Sequence, residues 1–288
     1  MPSKNNSSEI LVSICCTAYN VEKYINETID SFLMQETTFR YEIIIGEDLS
    51  TDNTRRIISE YCERFPDLVQ MVSSHKNVGV IRNYNRIIDK AKGKFIAICD
   101  GDDYFNDPFK LQKQVDFLEG NPDYAICCHY SYLVNDESRV IYESKNLKPL
   151  IYSFGDITVG QKTETRNSTM MIRNDLSFQK FTKSEWILKC HSQDTFMKLF
   201  VTFSTGKKIY VIPELMGSYR KHSASISKKS VAVLGPRYRN DFNLLITHFT
   251  FSADQKSRLL KRYLKRFFLY DVKNLRFFQF ISTVKALI

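Results

Sequence analysis

Three aspartates stand close together in the segment Asp100-Gly101-Asp102-Asp103, which directly follows the apolar run at residues 95–99. Carboxylates this close repel one another unless a cation offsets their charge. Their hard oxygen atoms suit Mg²⁺ or Mn²⁺, ions that keep several waters and often bridge to the phosphates of a substrate. Gly101 lets the backbone approach a ligand closely because it has no side chain. A solvated acidic turn that ends at Pro108 is the alternative that these residues leave open.

Apolar segments typical of β-strands recur at regular intervals in the first half of the chain. They are residues 11–17, 41–46, 68–73, 94–99 and 124–132. Segments with a helical spacing of apolar residues lie between them, and the first such stripe consists of Ile25, Ile29, Phe32 and Leu33. This alternation predicts βαβ units, and therefore an α/β fold with a mostly parallel sheet flanked by helices.

Polar and acidic residues follow these predicted strands, at the sheet edge where parallel sheets bind their ligands. The first strand leads into Thr17-Ala18-Tyr19-Asn20, the second into residues 47–52, and the fourth into the aspartate cluster. The third leads into Asn77-Val78-Gly79 and then Arg82. No Gly-x-Gly-x-x-Gly follows the first strand and no P-loop motif occurs, so the dinucleotide-binding and P-loop readings lose their main support.

Three of these segments together resemble the N-terminal half of a family 2 glycosyltransferase with a GT-A fold, a Rossmann-like sheet flanked by helices. Thr17-Ala18-Tyr19-Asn20 is similar to the signature that ends the family's first strand. Residues 47–54 are similar to its acidic pair followed by Ser-Thr-Asp-x-Thr, although Glu47 stands where aspartate is usual. Asp100-Gly101-Asp102 is similar to its DxD motif, and the three match in order and spacing.

The resemblance continues more loosely in the second half of the chain. Gln193-Asp194 is similar to the family's Glu-Asp motif, whose aspartate is the catalytic base of inverting members, although glutamine stands where glutamate is usual. Tyr219-Arg220-x-His222-x-x-Ser225-x-Ser227 is similar to the Tyr-Arg-x-His segment that follows. We predict a short strand at residues 208–212 that ends at Pro213, and a polar loop from Tyr219 onward.

The resemblance implies transfer of a sugar from a nucleoside diphosphate to an acceptor hydroxyl, with inversion at the anomeric carbon. UDP is the expected nucleotide by its frequency in the family. Asp194 is then the catalytic base, and Mn²⁺ or Mg²⁺ neutralises the departing diphosphate. The expected metal ligands are Asp100, Asp102 and His222. The residues expected to contact the nucleotide-sugar are Thr17, Tyr19, Asp48, Arg82, Asp100 and Asp103.

Each of these roles has a purely structural alternative. A capping carboxylate at the positive end of a helix is the alternative for Asp194, and an ordinary turn cap is the alternative for Asp48. For Tyr19 the alternative is a tyrosine packed in the structure. For Arg82 it is a surface residue of a helix, and for His222 it is a surface residue of a loop.

Two rival functions also stay open. A non-catalytic relative that binds nucleotide-sugars is the first, because Gln193 departs from the base motif. A nucleotidyltransferase is the second, since that class shares an α/β sheet and an acidic metal site. Residues 12–21 argue against it, because they contain neither the glycine nor the basic residues of its usual loop.

The positive charge of the chain is concentrated near the C-terminus. The 288 residues include 41 lysines and arginines and 32 acidic residues, a net charge of +9. Residues 256–288 hold nine of those cations and a single acid, Asp271, so the rest of the chain is nearly neutral. Leu260, Leu264 and Phe267 share one helical face beside paired cations, a pattern typical of helices that lie on anionic membranes. Packing of this face on the catalytic domain is the alternative, and we expect no nucleic-acid partner.

These features predict a catalytic domain at residues 8–228 and a basic, aromatic-rich helical segment at residues 229–288. Seven cysteines without a Cys-x-x-Cys pair indicate a reducing compartment. The chain shows neither a signal peptide nor an apolar run of about 18 residues. We therefore expect a cytoplasmic enzyme, peripheral on the inner face of the membrane, that acts on a glycan or lipid-linked acceptor in surface-polysaccharide assembly.

Overall fold

The computed structural model describes residues 9–222 and 231–288, and within these ranges ten strands form one sheet. The strands are β1 Ile10–Ala18, β2 Arg40–Glu47, β3 Val69–Ser73, β4 Phe95–Asp100, β5 Tyr104–Phe105, β6 Tyr124–Val134, β7 Val140–Tyr142, β8 Leu150–Tyr152, β9 Met171–Arg173 and β10 Lys208–Arg220. The α-helices are α1 Ile25–Leu33, α2 Thr54–Arg64, α3 Val80–Ile88, α4 Lys110–Gly120, α5 Phe154–Thr158, α6 Leu176–Thr182, α7 Gln193–Thr205, α8 Val231–His248, α9 Ala253–Arg266, α10 Phe268–Lys273 and α11 Phe277–Leu287. Short 3₁₀ helices occupy Asn167–Thr169 and Glu185–Lys189.

The sheet has a parallel half and a mixed half. Its strand order is β3-β2-β1-β4-β9-β6-β10-β5, with β7 beside β6 and β8 beside β10. The first four strands are parallel, as the alternation of strands and helices predicts. β9 runs antiparallel between β4 and β6 and joins this half to the parallel pair of β6 and β10. The predicted α/β fold is confirmed, with more antiparallel pairing in the second half than expected.

Helices cover both faces of the sheet because successive strand residues point to opposite sides. Cys15 packs into a core with α3, α6 and α7, whereas Cys16 packs into a second core with α1, α2 and α4. All seven cysteines are free thiols, and six of them are buried. They act as small apolar side chains, as their positions in apolar runs predict.

The ends of three parallel strands meet at one edge of the sheet. Thr17 lies opposite Gly46 of β2 on one side and opposite Asp100 of β4 on the other. A side chain at Gly101 would come within 3.0 Å of the carbonyl oxygen of Thr17, so only glycine allows this close approach of the two loops. The loops that carry the sequence motifs are therefore neighbours, at the edge where the sequence predicts a site.

Strand β10 is longer than the predicted strand at residues 208–212. Its pairing with β6 shifts register on either side of Leu215, which absorbs Pro213 and its missing backbone N–H. The strand then continues to Arg220, so the prediction of a loop at Tyr219 and Arg220 is wrong. His222 lies just beyond this strand, whereas Ser225 and Ser227 of the same motif lie outside the described residues.

The C-terminal helices pack on the body of the molecule. Phe242 of α8 and Leu259 and Tyr263 of α9 are buried in the same core as α7. Within the described ranges, no helix combines the length and apolarity that crossing a bilayer requires. The predicted division after residue 228 falls outside the described residues and stays a prediction.

Candidate active site

Asp100 ends β4 and occupies the centre of the site. Thr17 Oγ1 donates a hydrogen bond to Asp100 Oδ1 at 3.1 Å, and Asn167 Nδ2 donates to Asp100 Oδ2 at 3.1 Å. Burial raises the pKa of Asp100 to about 6, and the charge of Asp102 acts in the same direction. The two hydrogen bonds favour the ionised form and oppose this rise. Thr17 also accepts the backbone N–H of Gly101 at 2.9 Å, which ties the first loop to the acidic loop.

Asp102 and His222 lie side by side although 120 residues separate them in the chain. His222 Nε2 is 2.8 Å from Asp102 Oδ2, and the two side chains are 12% and 25% exposed. The imidazole ring also packs against Tyr24, with ring centroids 5.2 Å apart. The structure therefore brings together two of the three predicted metal ligands.

Asp103 is buried, and Arg220 donates its backbone N–H to Asp103 Oδ1 at 2.8 Å. Burial raises the pKa of Asp103 well above its usual range, and the charges of Asp102 and Asp100 add to this effect. Asp103 thus joins the acidic loop to β10. Its predicted contact with the nucleotide-sugar stays a prediction.

The guanidinium of Arg220 organises the acidic loop, a role that sequence reasoning missed. It is 1% exposed and donates through Nε to the carbonyl oxygen of Asp102 at 2.9 Å. Its other nitrogens donate to Ser138 Oγ and Glu27 Oε2. A planar group with five donors suits this task because it reaches several acceptors at once. The cation inside the Tyr-Arg-x-His segment was the available signal.

Asp100 and Asp194 line the same cleft. The cleft is lined by Thr17, Val80, Tyr84, Asp100, Asn167, Gln193, Asp194 and Met197. The carboxyl end of β4 supplies one acid, and the first turn of α7 supplies the other. Two acids from separate halves of the chain therefore meet in one site.

The charged neighbours of Asp194 are lysine ammonium groups, whereas those of Asp100 are other carboxylates. Its side chain is 31% exposed, and Oδ2 accepts a hydrogen bond from Lys198 Nζ at 2.9 Å. Burial alone would raise the pKa of Asp194, but the charges of Lys198 and Lys162 outweigh it and hold the pKa well below its usual range. Asp194 is therefore ionised at neutral pH.

Sequence reasoning also missed the two lysines that surround Asp194. Lys198 is 1% exposed, and its Nζ donates to the carbonyl oxygen of Thr165 at 2.6 Å and to Thr165 Oγ1 at 3.1 Å. Lys162 Nζ donates to Thr195 Oγ1. Burial lowers the pKa of Lys162, whereas the charge of Asp194 opposes this shift. The i,i+4 spacing of Asp194 and Lys198 on a helix was the signal available for one of them.

Gln193 presents an amide group to the cleft. Its Nε2 is buried and has no hydrogen-bond partner among the residues that the structure describes. An unsatisfied buried donor costs about 1–3 kcal/mol, so an oxygen of a bound molecule would relieve this cost. The departure from the family's usual glutamate therefore replaces one of two acceptor oxygens by a donor at the edge of the site.

A residue of the C-terminal segment holds the start of α7. Asp241 of α8 accepts the backbone N–H groups of His191 at 2.7 Å and Ser192 at 2.9 Å. Ser192 is the residue that precedes the first turn of α7. Helix α8 therefore helps to position Gln193 and Asp194, although it lies outside every motif.

Six predicted site residues lie outside the lining of the cleft: Asp102, Asp103 and His222, which are described above, and three others. Tyr19 is 47% exposed just after β1, and Arg82 is exposed on α3. Asp48 is buried and accepts the backbone N–H groups of Val78 and Gly79, both at 2.8 Å. Asp48 therefore joins the loops that follow β2 and β3. Contacts of these three residues with the nucleotide-sugar stay predictions.

The acidic loop fits a divalent cation that a substrate helps to bind. In residues 9–222 and 231–288, no three histidine, cysteine or carboxylate side chains form a preformed metal cage. Mg²⁺ typically takes one or two carboxylates and completes its shell with waters and substrate phosphates. Asp102 and His222 offer such a partial set. A cation bound there would also reduce the electrostatic repulsion between Asp100, Asp102 and Asp103.

Residues 13–181, more than half of the chain, match the family model Glycosyl transferase family 2. An uncharacterized protein of Mycobacterium bovis is 33% identical over 222 residues, which are 75% of this chain and 60% of that relative. The chain therefore spans about 60% of the length of this relative. An uncharacterized glycosyltransferase of Methanocaldococcus jannaschii is 26% identical over 73% of this chain and 70% of its own length. The putative teichuronic acid biosynthesis glycosyltransferase TuaG of Bacillus subtilis is 35% identical over 38% of this chain and 42% of its own length.

Two solved structures share the fold. Staphylococcus aureus TarS in complex with UDP-GlcNAc has a TM-score of 0.66 and 20% identity, over 89% of this chain and 73% of TarS residues 1–349. The mannosyltransferase PcManGT from Pyrobaculum calidifontis, in complex with GDP-Man and Mn²⁺, has a TM-score of 0.60 and 15% identity, over 90% of this chain and 70% of its own. Because the family model matches more than half of its residues, this chain belongs to glycosyltransferase family 2.

Proposed function

We propose that this chain transfers a sugar from a nucleoside-diphosphate donor, with UDP as the expected nucleotide, to an acceptor hydroxyl with inversion at the anomeric carbon. The observation that carries the proposal is that Asp100 and Asp194 line the same cleft. TarS with UDP-GlcNAc and PcManGT with GDP-Man support a nucleotide-sugar donor. Family membership favours glycosyl transfer over the nucleotidyltransferase alternative.

On the acceptor side, Asp194 takes the proton of the attacking hydroxyl. Lys198 and Lys162 keep this carboxylate ionised, and Lys198 also fixes its direction through the hydrogen bond to Oδ2. A carboxylate with a low pKa is a weak base, so proton transfer occurs late, when the forming C–O bond has made the hydroxyl acidic. A positioned base of this kind typically contributes about 10²–10⁴-fold to the rate.

On the donor side, we assign the leaving diphosphate to the acidic loop. Asp102 and His222 would hold Mn²⁺ or Mg²⁺, and Asp100 would contact either the metal or the ribose. When bound, the metal supplies positive charge that stabilises the diphosphate as it leaves. Arg220 keeps the loop in place through the carbonyl oxygen of Asp102.

The remaining donor contacts are proposed from the family resemblance. Asp48 accepts a hydrogen bond from the nucleobase, Tyr19 stacks on it, and the backbone of Thr17 approaches it. Stacking of a base on an aromatic ring is typically worth about 1–3 kcal/mol. Arg82 reaches the diphosphate, and Asp103 supports the donor from beneath the loop.

Gln193 supplies the cleft with a hydrogen-bond donor. Its unpartnered Nε2 supports a contact with a hydroxyl or ring oxygen of a bound sugar. The substitution of glutamine for glutamate leaves Asp194 ionised and facing the cleft, which favours a catalytic protein over the non-catalytic alternative.

We further propose a glycan or lipid-linked acceptor in the assembly of a surface polysaccharide. The similarity to a putative teichuronic acid glycosyltransferase supports this class of product. Such acceptors are built at the inner face of the membrane, so we propose a cytoplasmic catalytic domain at residues 8–228 with the basic segment at residues 229–288 in peripheral contact with that membrane.

A panel of UDP-, GDP- and dTDP-sugars tests the proposal. Thermal unfolding is measured with each donor, with and without Mn²⁺, because a ligand that binds only the native state raises the melting temperature. We expect one UDP-sugar to protect the protein in a metal-dependent way. NMR of the product should then show the opposite anomeric configuration to the donor. Retention of configuration, or protection by no donor, would contradict the proposal.

A further inference from the structure

Helix α11 is apolar over a wide arc of its circumference. Phe280, Val284 and Leu287 pack against the core of the molecule. On the neighbouring part of this arc, Phe278 is 91% exposed and Ile281 is 47% exposed. A helix at the surface of a globular protein normally buries its apolar stripe. The exposed part of the arc therefore needs an explanation beyond folding.

Exposed apolar side chains are concentrated around this helix. Among the described residues, eight of the 21 exposed large hydrophobic side chains lie between residues 264 and 288. We call the part of this region formed by α10, α11 and the turn between them the C-terminal apolar surface. Its side chains are Leu269, Val272, Leu275, Phe277, Phe278 and Ile281. Exposed apolar side chains that are concentrated in one region of a surface are typical of an interaction site.

The charges around this surface are positive. Lys261, Lys265, Arg266, Lys273 and Lys285 are exposed. The single acid among residues 256–288, Asp271, is 1% exposed and accepts hydrogen bonds from Arg239 Nε at 3.0 Å and from Tyr263 Oη at 2.6 Å. Because Asp271 is engaged inside the molecule, this segment presents cations alone to the solvent.

The helical face predicted from the sequence is not the exposed one. Phe267 is 7% exposed, and Leu260 packs against the core, whereas Leu264 is 45% exposed. Helix α9 buries Leu259 and Tyr263, each one residue before Leu260 and Leu264 of the predicted face, and Phe267 of that face is buried at its end. Most of the predicted face thus packs on the domain, and the exposed apolar side chains come one helix later.

We propose that the C-terminal apolar surface docks on an anionic lipid bilayer. This inference rests on the proposed function, since it gives the protein access to an acceptor at the membrane. Phe278 and Leu275 enter the boundary between headgroups and acyl chains, while Lys273 and Lys265 contact anionic headgroups. Cations beside protruding apolar side chains complement a bilayer, which is negative at its surface and apolar beneath.

The structure also connects this surface with the acceptor side of the active site. Arg262 of α9 donates to the carbonyl oxygen of Thr158, the last residue of α5. Helix α5 packs against α7, which carries Asp194. Helix α9, which leads into the C-terminal apolar surface, is therefore attached through α5 to the helix that carries Asp194.

Vesicle flotation tests this inference with the full chain. Vesicles of equal parts phosphatidylglycerol and phosphatidylcholine are compared with vesicles of phosphatidylcholine alone, at low and high salt. We expect binding to the anionic vesicles that salt weakens. Phe278→Ser with Ile281→Ser should lower the binding constant at least about tenfold, and Lys265→Ser with Lys273→Ser about thirtyfold. The matched controls Leu176→Ser and Lys183→Ser change an exposed leucine and an exposed lysine on the body and should bind like the parent.

Several outcomes would overturn the inference. These are no binding by the parent, equal binding by parent and both double variants, or equal loss in the two controls. A parent that sediments as a dimer, with monomeric double variants and no vesicle binding, would assign the surface to a second copy instead. Metal-dependent nucleotide-sugar binding is measured without vesicles on the same proteins. Its survival when vesicle binding fails would remove this inference and the proposed membrane contact of residues 229–288, and would leave the proposed sugar transfer standing.

Discussion

The two sides of the cleft are built in different ways. The donor side takes Thr17 and Asp100 from the ends of adjacent strands, where the register of the sheet alone brings them together. The acceptor side takes Asp194 from α7, whose start is held by Asp241 of a helix near the C-terminus. The first arrangement follows from topology, whereas the second depends on tertiary contacts between distant segments. The donor side should therefore tolerate changes in the C-terminal helices better than the acceptor side does.

The pKa values of the two aspartates, Asp100 and Asp194, are also shifted in opposite directions. Burial and the nearby charge of Asp102 raise the pKa of Asp100 to about 6. Lys198 and Lys162 hold the pKa of Asp194 well below its usual range despite its burial. The donor side thus carries negative charge that an external cation would offset, whereas the acceptor side is already compensated by the protein. This difference supports a metal site on one side and a base on the other.

The largest expected effect is that of Asp194→Asn. Loss of the base should lower kcat by about 10²–10⁴-fold while donor affinity stays close to the parent value. Asp254→Asn is a matched control, because Asp254 is also the second residue of a helix after a serine cap and also pairs with a cation four residues later. Steady-state kinetics should show the loss only in Asp194→Asn. Equal losses in both variants would indicate a capping role.

Asp102→Asn should affect the acidic loop, which reaches the cleft through Asp100. Transfer should fall by about 10²–10³-fold, because the charge that stabilises the leaving diphosphate is no longer held. Metal-dependent donor binding should fall with it, and EDTA should stop transfer by the parent without unfolding it. Asp116→Asn, at an exposed position of α4, is the control. Undiminished activity in chelator or in Asp102→Asn would contradict the metal assignment.

Lys198→Met should change stability and the pH profile together. Removing the cation leaves Asp194 partly buried with less compensation, at a cost of about 3 kcal/mol in urea unfolding. A folded-state pKa below the unfolded value stabilises the protein at neutral pH, and this contribution disappears as pH falls through the folded pKa. The variant should raise the pKa of Asp194, so the acidic limb of kcat against pH should move to higher pH. Lys198→Arg keeps the charge and should restore most of the parental profile.

The smallest expected effect is that of Gln193→Ala. The lost amide donor should raise KM for the donor or acceptor by about tenfold or less, since a neutral hydrogen bond contributes about 0.5–1.5 kcal/mol. Gln161→Ala, at an exposed position outside the cleft lining, controls for the loss of a glutamine. Unchanged kinetics in Gln193→Ala would mean that the unpartnered Nε2 does not meet a substrate.

The donor side could be predicted because its signals are local. Each motif directly follows a strand, and the parallel order of β2, β1 and β4 brings the motifs to one edge. Arg220 was quoted within a motif but given no role, because a strand that continues past Pro213 is not expected from the sequence. Only the structure brings its guanidinium beneath the acidic loop.

The acceptor side could be predicted only in part. Asp194 was identified from the resemblance, and Lys198 was visible only as a residue four positions later on the same helix. Lys162 and Asp241 have no local signal, because their partners lie 33 and 50 residues away in the chain. The helical period of α9 was predicted correctly, but Leu259 and Tyr263 are its fully buried residues, whereas Leu264 of the predicted face is exposed.

The most direct test measures donor binding and single-turnover transfer on the same two variants, Asp102→Asn and Asp194→Asn. It asks whether one aspartate serves the donor and the other serves the acceptor. Binding is followed by Mn²⁺-dependent thermal protection with the donor, and transfer by product formed in one turnover. The account predicts that Asp102→Asn loses both, whereas Asp194→Asn keeps binding and loses transfer. Transfer at the parental rate by Asp194→Asn, or full metal-dependent binding by Asp102→Asn, would contradict it.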